Sequence, residues 1–316
     1  MVLTQESEVL DRGMGRSNPS IAPTNGDWVL LAVAVLAVST AAPIVVACGA
    51  PALAIAFWRC ALGALLTAGW LVVRRESFQS LRSQSWIVLA AGVMLALHFA
   101  TFLPSLRFTS VAAATALVST VPIWTALLAR ISGYPVSRWL WVGVGAAMIG
   151  VLLITGVDVA TSPSALFGDG LALLGGLAGA AYIMTGAKAR KDLGAGQYSA
   201  VVYGLAAAGL LVACLVGGVE LTGYEPRDWI LIGALTVLAQ LLGHSLVNVV
   251  LKRLPPTTVG LALLLEVPGA ILVAAVWLGV FPPIQLLPGV LLILAGLAFV
   301  IAAGKSDKYR FDRSVS

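Results

Sequence analysis

A few charged and polar side chains inside long apolar segments are the residues of this sequence best suited to chemistry. Glu266 lies near the middle of one apolar segment, two residues before Pro268, and Arg59 lies inside another. If such segments cross a bilayer, ionisable groups in them usually face a bundle interior or a water-filled cavity. Glu266 then either exchanges a proton or binds a cationic group, or it forms an ion pair with Arg59 that holds helices together. Arg59 either contacts a substrate, pairs with an acid or anchors to backbone carbonyls.

Both histidines of the chain also lie in apolar segments. Gln240, His244 and Asn248 are spaced four residues apart and therefore share one face of a helix. This polar stripe is predicted to point into the bundle, towards either a cavity or a neighbouring helix. His98 has Phe102 on its own face, and it either changes charge near neutral pH or stays neutral and hydrogen-bonded. The two histidines are expected at different depths, on opposite sides of the bilayer midplane.

Aromatic residues deep in the apolar segments are further candidates for a pocket. Phe102, Trp124 and Tyr182 either line a cavity or pack between helices. Thr120 joins the candidates because Pro122 follows it at the same distance as a proline follows Glu266 in its own segment. No clustered nucleophile and base, no paired acids and no metal-ligand spacing occur in the sequence. We therefore predict no catalytic residue, no metal site and no cofactor.

The apolar segments predict an all-α integral membrane protein. Of the 316 residues, 59% are hydrophobic and 10% are charged, whereas about a quarter of the residues of a soluble domain are charged. A bilayer core of about 30 Å requires roughly 20 apolar residues per helix, and ten such stretches account for most of the chain. Transmembrane helices are expected at 28–48, 52–73, 86–105, 110–129, 138–156, 169–188, 197–217, 228–250, 257–280 and 284–303.

The ten predicted helices form two repeats. A shift of 146 residues superposes His98 on His244 and Thr120 on Glu266. Since each repeat holds five helices, an odd number, the second repeat must enter the membrane from the opposite side. Inverted repeats suit a protein that alternates between two conformations, each open to one side. The two repeats are expected at 28–156 and 169–303, between a disordered tail at 1–26 and a short charged tail at 304–316.

Basic residues are concentrated in alternate connections between the predicted helices. All lysines and most arginines fall in the two tails or in the connections between helices 2 and 3, 4 and 5, 6 and 7, and 8 and 9. Such residues are retained on the cytoplasmic side of a membrane. We therefore expect a multi-pass protein of the cell (inner) membrane with both termini in the cytoplasm. The net charge of +5 does not indicate a nucleic-acid partner, because the basic residues form no patch.

Two stretches of the sequence, 96–130 and 243–279, resemble the EamA-type branch of the drug/metabolite transporter superfamily. The resemblance extends over about residues 28–303 and includes Arg59 in the second helix. It implies ten helices, cytoplasmic termini and secondary transport through a central cavity between the two halves. The cargo of such proteins is commonly an amino acid, a related metabolite or a toxic compound, and the direction is commonly export. The sequence departs from the family where Glu-Pro is replaced by Glu266-Val267-Pro268.

A secondary transporter that works by alternating access is the function that these features favour. Its energy would come from the proton gradient or from the gradient of the substrate itself, and no glycine-rich nucleotide loop implies ATP. The expected partners are a small-molecule substrate, the lipid bilayer and, in the first case, protons. An integral-membrane enzyme and a non-catalytic membrane sensor or scaffold are the alternatives. The candidate site residues are Arg59, His98, Phe102, Thr120, Trp124, Tyr182, Gln240, His244, Asn248 and Glu266.

Overall fold

The protein is a helical bundle throughout the part of the chain that the structure describes. The computed structural model describes residues 23–75, 85–131, 162–254 and 256–296, together with isolated residues between 141 and 153 and Phe299. Within these ranges there is no β-strand. The predicted all-α class is therefore confirmed for the described residues, while most of both predicted tails lies outside them.

The helices differ in length, and several are separated by only one or two residues. They are α1 (Asn25–Val38), α2 (Ala41–Ala47), α3 (Ala52–Val73), α4 (Ser85–Ser105), α5 (Val111–Val118), α6 (Val121–Ile131), α7 (Pro163–Ala189), α8 (Ala195–Val216), α9 (Pro226–Leu235), α10 (Ser245–Val250), α11 (Pro256–Leu263), α12 (Glu266–Val273) and α13 (Ile284–Gly296). A π-helical segment, Thr236–His244, joins α9 to α10, and a second one, Ala274–Leu278, extends α12.

Among the residues that the structure describes, seven segments are long and apolar enough to cross a membrane. They coincide with predicted helices one to four and six to eight. The segments are Asn25–Ala47, Ala52–Val73, Ser85–Ser105, Val111–Leu128, Pro163–Ala189, Ala195–Val216 and Pro226–Val250. Their apolar outer surfaces fit a multi-pass membrane protein, because such a surface needs lipid rather than water around it.

The fifth, ninth and tenth predicted helices do not appear as full spans. Most of the fifth, 138–156, lies outside the described residues. The ninth is interrupted at Leu264 and Leu265, which leaves two shorter helices. Pro268 explains the interruption, since its nitrogen cannot donate a hydrogen bond to the Leu264 carbonyl one turn earlier. Of the tenth, the structure describes α13 only, so the count of ten remains a prediction.

Helix packing follows the pattern that an exchange of the two repeats predicts. The second predicted helix, α3, packs along the seventh predicted helix, α8, and an exchange of the repeats swaps these two helices. The third predicted helix, α4, packs along the sixth, α7. The same exchange turns that pair into the eighth and first predicted helices, which are also in contact. Gly175 and Gly179 let α7 approach α4 closely, because a Cβ atom at either would lie within about 3 Å of an α4 side chain.

Three of the predicted helices, the first, fourth and ninth, are broken in the middle of the bundle. The breaks lie at Ser39–Thr40 between α1 and α2, at Ser119–Thr120 between α5 and α6, and at Leu264–Leu265 between α11 and α12. Each break precedes a proline by a few residues, and each proline removes one hydrogen bond of the helix ladder. Interrupted helices of this kind are tolerated at membrane depth only where they are buried in protein or line a cavity.

Polar contacts tie each end of the bundle, and at each end one of them joins the two repeats. At the end where α1 begins, Arg253 pairs with Asp27 at 3.1 Å. At the opposite end, Arg107 donates hydrogen bonds to the backbone carbonyls of Cys48 and Ala50 at 2.7 and 2.9 Å. The carboxylate of Asp228 accepts a third bond there from a backbone nitrogen of the α2–α3 connection, at 2.8 Å. The bundle is thus held together at both ends in this conformation.

Candidate functional site

A largely enclosed cavity lies in the middle of the bundle, beside the three helix breaks. Its volume is about 60 Å³, which holds a few water molecules but is far below the roughly 300–1,000 Å³ of a typical small-molecule pocket. Ala41, Ser119 and Glu266, each next to a break, are part of its wall. Six of the ten predicted site residues line it, namely Arg59, His98, Phe102, Tyr182, His244 and Glu266.

Arg59 is the most buried charge of the cavity wall, with 1% of its surface exposed. Its Nε donates a hydrogen bond to Oε1 of Gln240 at 2.9 Å, and its Cζ lies 4.1 Å from the centre of the Phe99 ring. The Nη2 atom is buried without any hydrogen-bond partner among the described residues. The guanidinium is therefore held on one side by an amide and an aromatic face, while its other side keeps unused donors.

Glu266 lies in the same cavity wall at the start of α12. No hydrogen bond or ion pair joins it to Arg59 or to any other residue that the structure describes. The interpretation in which the two charges form an ion pair is therefore wrong for this conformation. A carboxylate in a closed, mostly apolar cavity without a partner is costly as an anion.

The two histidines are neighbours in the cavity wall, and the expectation that they lie at different depths stays a prediction. Their ring centroids are 6.1 Å apart, and the His244 ring meets the edge of Phe99 at 5.2 Å. The Nδ1 atom of His98 donates a hydrogen bond to the carbonyl of Gly175 at 2.8 Å, since a carbonyl can only accept.

Behind the cavity wall, a second layer of polar residues holds the lining side chains. The hydroxyl of Tyr182 donates to Oδ1 of Asn248 at 2.8 Å, and Nδ2 of Asn248 donates to Ser199 at 3.0 Å. Gln240 likewise holds Arg59, because its Oε1 accepts a hydrogen bond from the Arg59 Nε. Neither Gln240 nor Asn248 is part of the wall, so the polar stripe predicted on the eighth helix is divided. Only its middle member, His244, lines the cavity.

Thr120 and Trp124 lie beside the cavity and are bonded to each other. The indole nitrogen of Trp124 donates to Oγ1 of Thr120 at 3.1 Å, and the Thr120 hydroxyl donates to the carbonyl of Leu117 at 2.6 Å. Ser119, the residue before Thr120, lines the cavity in its place. The first repeat therefore lines the cavity with a serine next to the position that corresponds to Glu266.

Several residues of the site were not identified from the sequence. Phe99 supports both Arg59 and His244, but an aromatic residue in an apolar helix carries no signal of such a role. The arginines of the two bundle ends had a detectable signal, because the 146-residue shift that pairs the histidines also superposes Arg107 on Arg253.

The sequence matches the family model described as the EamA-like transporter family twice, over residues 26–156 and 166–302. No curated protein sequence matches this chain. One solved structure, described only as a crystal structure of a protein, aligns with 88% of this chain and 98% of its own, with a TM-score of 0.66. Its sequence identity is 16%, so this likeness concerns the fold alone.

Proposed function

Because this chain belongs to the EamA-like transporter family, we propose that it is a secondary transporter that exports amino acids or related small metabolites by alternating access. Its family shows that the chain is a membrane transporter of the drug/metabolite type. What we propose is its cargo, the direction of transport and its coupling to protons. The supporting observation is the central cavity, which combines Arg59 and Glu266 in a wall built by broken helices of both repeats. Transporters of inverted-repeat design bind their substrates at such a place.

The cavity belongs to an occluded conformation. Its volume of about 60 Å³ is too small for a metabolite, and both ends of the bundle are tied. A substrate would enter after one end opens and leave after the other end opens. With both termini in the cytoplasm, the pair of Arg253 and Asp27 closes the cytoplasmic end, and the hydrogen bond from the Gly49 backbone nitrogen to Asp228 closes the outer end.

Coupling to protons is proposed for Glu266. This carboxylate shares the cavity with the substrate and has no fixed partner among the described residues. It can therefore lose a proton when the cavity opens to one side and gain one when it opens to the other. Thr120, its counterpart in the first repeat, has no ionisable group, so the proposed carboxylate site belongs to the second repeat alone.

The function is tested by flux across liposomes that contain the purified protein. Radiolabelled amino acids, small metabolites and cationic toxic compounds are offered, and protein-free liposomes serve as the control. At least one compound is expected to cross unchanged and faster than in the control. A compound that is recovered chemically converted would support a membrane enzyme instead, and a complete panel without flux would contradict the transporter.

Replacing Arg253 by glutamine is expected to open the cytoplasmic end more often. The Arg253 side chain is 40% exposed and Asp27 is 2% exposed, and a partly exposed ion pair contributes about 0.5–1 kcal/mol. The open fraction should therefore rise about two- to fivefold. A cysteine at Ile183, in the cavity wall, reports this as faster labelling by a water-soluble maleimide from the cytoplasmic side.

The neighbouring Lys252 provides the matched control for that experiment. It is exposed and carries no ion pair in the described structure, so Lys252→Gln removes the same charge from the same turn. The cysteine that replaces Ile183 should be labelled at the same rate in the Lys252→Gln protein as in the protein with Lys252. Equal labelling of the Arg253→Gln and Lys252→Gln proteins would show that the ion pair does not hold this end closed.

A further inference from the structure

We propose that the transported compound carries an anionic group, a carboxylate in the simplest case, and that Arg59 binds this group through its unpaired nitrogens. The proposal rests on the proposed function, and it selects among the cargo classes that the function leaves open. It favours amino acids and organic acids and disfavours cationic toxic compounds.

The first argument is the incomplete hydrogen bonding of the buried Arg59 side chain. The guanidinium is 1% exposed, its Nη2 has no hydrogen-bond partner, and no described carboxylate lies within ion-pair distance. Removing an unpaired cation from water costs several kcal/mol, so such a site is stable only when something completes it. A guanidinium presents its donors as a planar fork that matches the two oxygens of a carboxylate.

The second argument is the orientation of the guanidinium. Gln240 accepts the Nε hydrogen bond, and the ring of Phe99 covers one face of the group. Of these two contacts only the one to Gln240 is a hydrogen bond, and it uses Nε, so Nη2 keeps its donors. The fork is therefore held in place before any ligand binds, which lowers the entropy cost of binding.

The third argument is the set of residues that line the cavity together with Arg59. Glu266 lines the same cavity and forms no ion pair with Arg59, so both charges are available to a ligand once the cavity opens. A zwitterion would place its carboxylate at Arg59 and its ammonium at Glu266. The rest of the wall is mostly apolar and includes Phe102, Val118 and Ile183, which suits an apolar side chain on such a ligand.

The experiment compares matched ligands on the full-length protein. Leucine and phenylalanine are each tested against their amides, which keep the skeleton and the ammonium but lack the carboxylate. Stabilisation of the purified protein against heat reports binding, and flux into liposomes reports transport. At least one of the two acids is expected to bind and cross the membrane, with an affinity about tenfold or more above that of its amide.

Variants of Arg59 assign the effect to this residue. Arg59→Gln should reduce the affinity for the preferred acid about tenfold or more and leave that for the amide nearly unchanged. Arg227→Gln removes an exposed arginine outside the cavity and should bind like the parent. If Arg59→Gln does not fold, the comparison of acids with amides on the parent protein still decides the question.

The outcomes separate this proposal from the proposed function. Transport of both amides as efficient as that of their acids would overturn the anion site while leaving a transporter. Retention of the acid preference by a folded Arg59→Gln protein would overturn the role of Arg59. Arg59-dependent binding of an acid, combined with no flux of any compound in the panel, would support the anion site and overturn the transport function.

Discussion

Replacing Glu266 by glutamine is expected to abolish substrate accumulation driven by a pH gradient, while flux down a substrate gradient persists. Glutamine has nearly the shape of glutamate but cannot carry a proton across. For one-for-one exchange with protons, one pH unit supports about tenfold accumulation, because a pH unit corresponds to about 1.36 kcal/mol. In the variant, accumulation should fall to the level set by passive equilibration. The measurement is uptake into liposomes with an imposed pH gradient.

Glu225 supplies the matched control for this prediction. It is an exposed carboxylate at the start of α9, and its side chain forms no capping hydrogen bond. Glu225→Gln makes the same chemical change outside the cavity and should leave the pH-driven accumulation intact. If Glu266→Gln accumulates substrate like the parent protein, the proton is carried by another group or the substrate gradient alone drives transport.

Adding a side chain at Gly176 is expected to destabilise the protein at one of its helix breaks. A Cβ atom at this position of α7 would lie 2.8 Å from the carbonyl oxygen of Val118. That carbonyl is left without its usual partner because Pro122 has no N–H group, and a backbone atom cannot move aside cheaply. Gly176→Leu should lower the free energy of unfolding by about 1–3 kcal/mol, measured as a lower midpoint of thermal unfolding.

Gly170 lies in the same helix, and a side chain added there is expected not to destabilise the protein. A Cβ atom there meets nothing within 4 Å, and an alanine in a helix is about 0.5–1 kcal/mol more favourable than a glycine. Gly170→Ala should therefore leave the unfolding midpoint unchanged or raise it slightly. A Gly176→Leu protein as stable as the Gly170→Ala protein would mean that α7 does not pack against the break as closely as described.

The predicted site residues illustrate how far residue type and spacing can lead. Arg59 and Glu266 could be selected because charges are rare in apolar segments, and both lie in the cavity wall. Whether these two charges form an ion pair could not be predicted, since paired and separated charges can have the same residue types and spacing. Gln240 and Asn248 were chosen as possible wall residues, yet they lie one layer behind it and hold Arg59 and Tyr182.

Composition, hydropathy and the 146-residue shift are local or periodic properties, and they alone determined the membrane class, seven of the spans and the pairing of Thr120 with Glu266. Each of these depends on how one segment transfers into lipid or matches another, so no long-range contact is needed. Only the tertiary structure decided that the two histidines meet, that Arg59 bonds to Gln240 rather than to Glu266, and that both ends of the bundle are tied. Those facts depend on helix breaks, π-helical winding and the close packing of glycines, which set the depth and rotation of each side chain and are not encoded in residue spacing.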